Sequence, residues 1–98
     1  MVLYHATPLD NLGSILVHGL KRGIDGVVYG CEDPKDCLKF AYYHGVLDAL
    51  VVKFKVDDKN VIETFDHNHK FFGCRCFGAT VDIPPEALSD YTKYDLRT

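Results

Sequence analysis

The sequence has no apolar run near the roughly 20 residues that a membrane-spanning helix needs, which excludes helical membrane spans. Its start carries neither a signal peptide nor an Arg-rich transit segment, so the expected compartment is the cytoplasm. Basic residues are scarce, 11 Lys and Arg against 14 Asp and Glu, and they form no block. A net charge of −3 disfavours non-specific binding to a phosphate backbone, a local patch aside. There is no HExxH, no Gly-rich phosphate loop and no Ser/His/Asp signature. Linkers, low-complexity tracts and internal repeats are also missing, so one domain over residues 1–98 is expected.

What is present is ordinary globular material: 47% hydrophobic and 26% charged residues, enough for a real but small core. Cys31, Cys37, Cys74 and Cys76 read as reduced thiols where no secretory signal stands. Cys74 and Cys76 alternate with Arg75 and should share one face of a strand, most simply as core residues. With His67 and His69 they make two imidazoles and two thiols within ten residues. The single-residue gap between the cysteines strains a shared tetrahedron, and no metal is expected.

The organising stretch is the start. Val2 to His5 reads as an apolar strand. Thr7 then stands as an N-cap, Pro8 as the first helical residue and Asp10 as the acid of a capping box. Leu9, Leu12, Ile15 and Leu16 form an apolar stripe, and Gly19 closes the helix. The unpaired N–H groups of that helix start would face a ligand with hydroxyls or phosphates near His5, Ala6 and Thr7. After a polar loop over 21–26, Val27-Val28-Tyr29 is a short strand. Asp33 caps a second helix, with Pro34 in its first turn and Cys37, Leu38 and Ala41 facing in. Ala49 to Val56 is the clearest strand, continuous at first and then alternating, with Val52, Phe54 and Val56 inward. Val61-Ile62-Glu63 is a short strand or bridge, and Thr64 to Lys70 a loop. Cys74 to Val81 is a strand that Gly78 interrupts with a bulge or a close backbone approach. A helical turn at Ile83 to Leu88 and a tail that adds an edge segment or stays loose complete the chain. The order implies an α+β fold.

These residues carry a resemblance. Apolar-Tyr4-His5-Ala6-Thr7, then Asn11-Leu12-x-x-Ile15-Leu16-x-x-Gly19-Leu20, resembles the opening of ADP-ribosyltransferase-fold proteins. It is especially similar to small phage and toxin members and to the C-terminal lobe of RNA 2'-phosphotransferases. Gly26-Val27-Val28-Tyr29 with Asp33-Pro34 is similar to the family's second segment, and Ile83-Pro84-Pro85-Glu86 to its ending. The resemblance implies a mainly antiparallel split sheet with two short helices, NAD as cofactor and mono-ADP-ribosyl transfer to a macromolecular target, protein or nucleic acid. It implies that His5 holds the adenosine ribose, with backbone near Ala6 and Thr7 beside it. Tyr29 or Tyr42 would flank nicotinamide.

Many family members carry a glutamate on the last strand, and Cys74 to Val81 holds no acid. Glu63 is the substitute a neighbouring strand offers to stabilise an oxocarbenium-like ribose. A solvated loop carboxylate is its plainer reading. Arg75 would clamp pyrophosphate, or simply face outward. Two further readings therefore stand beside transfer: a nucleotide- or protein-binding module without turnover, such as a small phage-encoded inhibitor, and an RNA 2'-phosphotransferase-like enzyme.

Overall fold

In the computed structural model, which describes residues 1–64 and 75–97, eight elements follow in the order β1 (Val2–Pro8), α1 (Leu12–His18), β2 (Val28–Cys31), α2 (Pro34–Tyr43), β3 (Asp48–Lys55), β4 (Val61–Thr64), β5 (Cys76–Ala79) and β6 (Leu88–Asp95). The six strands make one antiparallel sheet ordered β4-β5-β2-β1-β3-β6. The architecture is α+β. Among the described residues no helix is long and apolar enough to cross a membrane.

β3 explains the core. Leu50, Val52 and Phe54 project to one face, where they join Leu3, Val28, Phe77 and Ile15 of α1 in the main cluster. Ala49 and Val51 project to the other and are equally buried. A strand covered on both sides reads as a continuous apolar run, and the run ends where Lys53 and Lys55 begin the alternation. The second face carries a smaller cluster of Cys31, Cys37 and Cys76, with Tyr4, Ala6 and Phe40 against it.

The start differs from the expectation. Thr7 and Pro8 stay in β1, which keeps register with β3 for seven residues, to Pro8↔Ala49. One cap bond does not compete with a continued ladder, whose backbone groups each need a partner. A single 3₁₀ turn, Leu9–Asn11, precedes α1, and no side chain caps either start. The Thr7 hydroxyl instead accepts from Asn11 Nδ2 at 2.8 Å. Leu9, Leu12 and Ile15 face the core as expected, but Leu16 is exposed because α1, only seven residues long, covers the sheet with one narrow stripe.

α2 keeps to its sequence signals. Asp33 Oδ1 accepts from the Lys35 N–H at 2.8 Å, Pro34 occupies the first turn, and Cys37 and Ala41 are buried. Asp33→Ala should cost about 1 kcal/mol in a urea unfolding curve, the usual loss for a helix N-cap. At Gly78 the close approach is the outcome and not the bulge: register with β2 and β4 is unbroken, and a Cβ there would meet Val27 Cβ at 3.0 Å. The one register shift of this sheet's long pairing lies between Lys53 and Phe54, opposite β6. The tail is ordered as that edge strand, β6, running along β3 from Leu88 to Asp95.

Candidate functional site

The sheet is narrowest in register at its centre. β1 pairs with β3 over seven residues but with β2 only at Tyr4↔Cys31. Gly30 makes this single junction tight: a Cβ there would stand 3.0 Å from Leu3 Cβ and 3.2 Å from the Tyr4 carbonyl. This single paired position joins β4, β5 and β2 on one side to β1, β3 and β6 on the other within the one sheet.

A cleft of about 300 Å³ opens at this seam. β1 supplies Tyr4, His5 and Ala6, β2 supplies Tyr29, Gly30 and Cys31, α2 supplies Cys37 and Phe40 and its C-cap His44, and β5 supplies Cys76. His5 Nδ1 lies 2.7 Å from the Tyr29 carbonyl oxygen. A carbonyl only accepts, so Nδ1 carries the proton, and Nε2 is the lone-pair nitrogen left for a ligand. The imidazole thus bridges the seam where a continued ladder would have used a backbone N–H.

Desolvation holds the His5 pKa below its ordinary value, and the bond to the Tyr29 carbonyl partly opposes that shift. The consequence for stability has a definite sign. Below the ordinary imidazole pKa of about 6.5 the unfolded chain takes up a proton that folded His5 resists. The contribution is therefore complete above that value and declines as pH falls through it toward the lower folded pKa. Denaturant curves between neutral pH and about 5 should show this slope in the wild type, and His5→Gln should flatten it.

The second cofactor candidate, Tyr29, lines the cleft from the opposite strand, and its hydroxyl donates to the Asp25 carboxylate. That bond brings the polar loop back against β2. Arg22 ties the same loop to the exit of β5, its backbone N–H and Nε donating to Asp82 Oδ1 at 2.9 and 3.2 Å. Ala6 also lines the cleft, whereas Thr7 lies beyond it on β1. Tyr42 is 61% exposed on α2, outside the lining.

Glu63 and Arg75 are brought to each other. Arg75 Nε and Nη2 donate to the two carboxylate oxygens of Glu63 at 2.9 and 3.0 Å, with Glu32 3.9 Å from Nη1. The guanidinium lies 5.1 Å from the Phe77 ring centroid. The Glu63 bond above all raises the Arg75 pKa further. Neither residue lines the cleft; Arg75 just precedes β5 and Glu32 just follows β2, next in sequence to Cys76 and Cys31.

Sequence reasoning did not find the α2 wall or the thiol floor. Phe40 and His44 are four apart, one helix face, and stack with ring centroids 6.2 Å apart. Tyr43 meets His44 edge-on at 5.7 Å. That spacing was the available signal. Nothing in the sequence pairs Cys31 with Cys76; the β2–β5 register does. Cys37 Sγ donates to the Tyr4 carbonyl at 2.9 Å. The Cys37 thiol and burial push the Cys31 thiol far up, so it stays protonated. His67, His69 and Cys74 lie outside the described residues; among those described, no group of three or more metal-binding side chains is arranged for an ion.

No protein-family model matches this chain, and no curated protein matches it significantly. Its class is set by its own architecture, a small α+β domain with a cleft at the seam of an antiparallel sheet.

Proposed function

We propose that the chain binds NAD across the seam cleft and is a mono-ADP-ribosyltransferase-like protein acting on a macromolecular target. The observation that carries this reading is the His5 imidazole at the seam, its Nδ1 fixed by the Tyr29 carbonyl at 2.7 Å. A neutral Nε2 is suited to accept from a ribose hydroxyl, and the low pKa keeps it neutral. Aromatic surface from Tyr4, Tyr29, Phe40 and His44 suits the flat bases. The volume of about 300 Å³ is at the lower end of small-molecule sites, which run from roughly 300 to 1,000 Å³. It accommodates one nucleoside, with the rest of the dinucleotide across the mouth.

Transfer requires nicotinamide to leave as the ribosyl carbon becomes positive, and a carboxylate aimed there lowers that barrier. Among the described residues the lining contains no carboxylate, and Glu63 is clasped by Arg75. This favours, as the second reading, a module that binds nucleotide without turnover. The absence of cationic side chains from the same lining weighs against 2'-phosphate recognition by an RNA 2'-phosphotransferase-like site.

Calorimetry with NAD should give saturable binding that His5→Ala weakens about tenfold or more, equivalent to roughly 1.4 kcal/mol. Absent binding, or binding indifferent to His5, overturns the reading. Nicotinamide release in the presence of candidate targets then separates transferase from silent module: Glu63→Gln abolishes the release if Glu63 is the acid.

A further inference from the structure

We propose that Cys31 and Cys76 form an oxidative modification site, a cross-strand dithiol at the floor of the cleft that closes to an intramolecular disulfide when a peroxide enters. The proposal stands on sheet register and thiol contacts, independently of the nucleotide reading.

Cys31 on β2 and Cys76 on β5 are direct Cα partners at the end of an antiparallel pairing. Directly opposed residues in such a pair have Cα atoms about 4.5–5.5 Å apart, and disulfides span about 4.4–6.8 Å, so the register puts the pair within disulfide reach. Residues in register project to the same face, so the two Cβ vectors share a side of the sheet. Both side chains are nearly buried, at 4% and 3% exposure, yet both border the cleft. The cleft therefore admits a small oxidant to sulfurs that bulk reagents do not reach. Cys31, Cys37 and Cys76 pack together in one buried cluster. Cys37 is the rival partner, but it sits on α2 rather than on a paired strand, and its S–H is directed to the Tyr4 carbonyl.

The chemistry balances with hydrogen peroxide as oxidant. One thiol gives up its proton as its sulfur attacks the O–O bond and becomes a sulfenic acid; the displaced hydroxide takes up that proton and leaves as water. The second sulfur attacks the sulfenic sulfur, the S–O bond breaks, and the hydroxyl departs as water with the second thiol's proton. Two thiols lose two electrons and the peroxide becomes two waters. Closure draws the sulfurs to about 2.05 Å at the floor of the cleft.

The test is hydrogen peroxide treatment of the folded full chain, alkylation of remaining thiols and non-reducing tryptic mapping. Trypsin distinguishes every pairing, because Cys31, Cys37, Cys74 and Cys76 fall in separate fragments, 23–35, 36–39, 71–75 and 76–93. The expected result is loss of two hydrogens and a dithiothreitol-reversible link between 23–35 and 76–93. That link persists in Cys74→Ser and Cys37→Ser and is lost in Cys76→Ser. A link through Cys37 or Cys74 instead, dependence on Cys37, or no link until the chain is denatured overturns the proposal.

Discussion

Gly19→Ala is expected to lower the unfolding free energy by about 3 kcal/mol, read from the midpoint and slope of a denaturant curve. Gly19 has φ +73°, a region that side-chain-bearing residues enter only at a cost. The larger problem is space. A Cβ there would stand 1.9 Å from the Ile83 carbonyl oxygen, and this neighbour is backbone, which has no rotamer to change. The same carbonyl accepts from the Leu20 N–H at 2.8 Å, and the Ile83 N–H returns a bond of equal length to the Leu20 carbonyl. This two-way bridge closes the main cluster beneath α1, with Leu20 and Ile83 both buried. Relieving the clash breaks the bridge. Gly26→Ala is the internal comparison. Gly26 has φ +83° but nothing within 4 Å of its absent Cβ, so only the backbone cost, about 1 kcal/mol, should appear. Equal losses at the two positions would contradict the steric argument.

Phe54→Ala should cost more, about 3–5 kcal/mol, because it removes a wholly buried ring and leaves a cavity. Phe54 lies on β3 directly opposite Leu3, and both are at 0% exposure in the main cluster. A domain of this size is stable by about 5–15 kcal/mol, so this single change takes a large share of the margin. Tyr91→Ala on β6, at 48% exposure, should stay within about 0.5 kcal/mol. A loss below about 1 kcal/mol at Phe54 would mean that the core lies elsewhere.

How much of this was legible depended on which signals were local. α2 was readable because its cap, its proline and its buried stripe are all written within ten residues. β3 was readable because burial on both faces and then on one produces a run followed by alternation. The end of β1 was misread: Thr7 and Pro8 suit a helix start, but pairing with Leu50 and Ala49, far along the chain, holds them in the sheet. The site divides in the same way. His5 and Tyr29 came from the resemblance, and the fold brings them together across the seam. The seam itself is a tertiary event, a single paired position at Tyr4↔Cys31, with no local pattern to announce it. Cys31 and Cys76 were unreadable as partners because only the β2–β5 register joins residues so distant in sequence. Glu63 and Arg75 were singled out separately; their mutual fork depends on β4 and β5 lying side by side.

The proposed reading puts a nucleotide at the cleft where β1 meets β2. It is tested most directly by following backbone amide resonances of the labelled protein through a titration with NAD. Saturable shifts are expected at Tyr4, His5 and Ala6, at Tyr29, Gly30 and Cys31, and at His44, with β6 unmoved. A spectrum that ignores NAD, or shifts confined to the β6 edge, would contradict it.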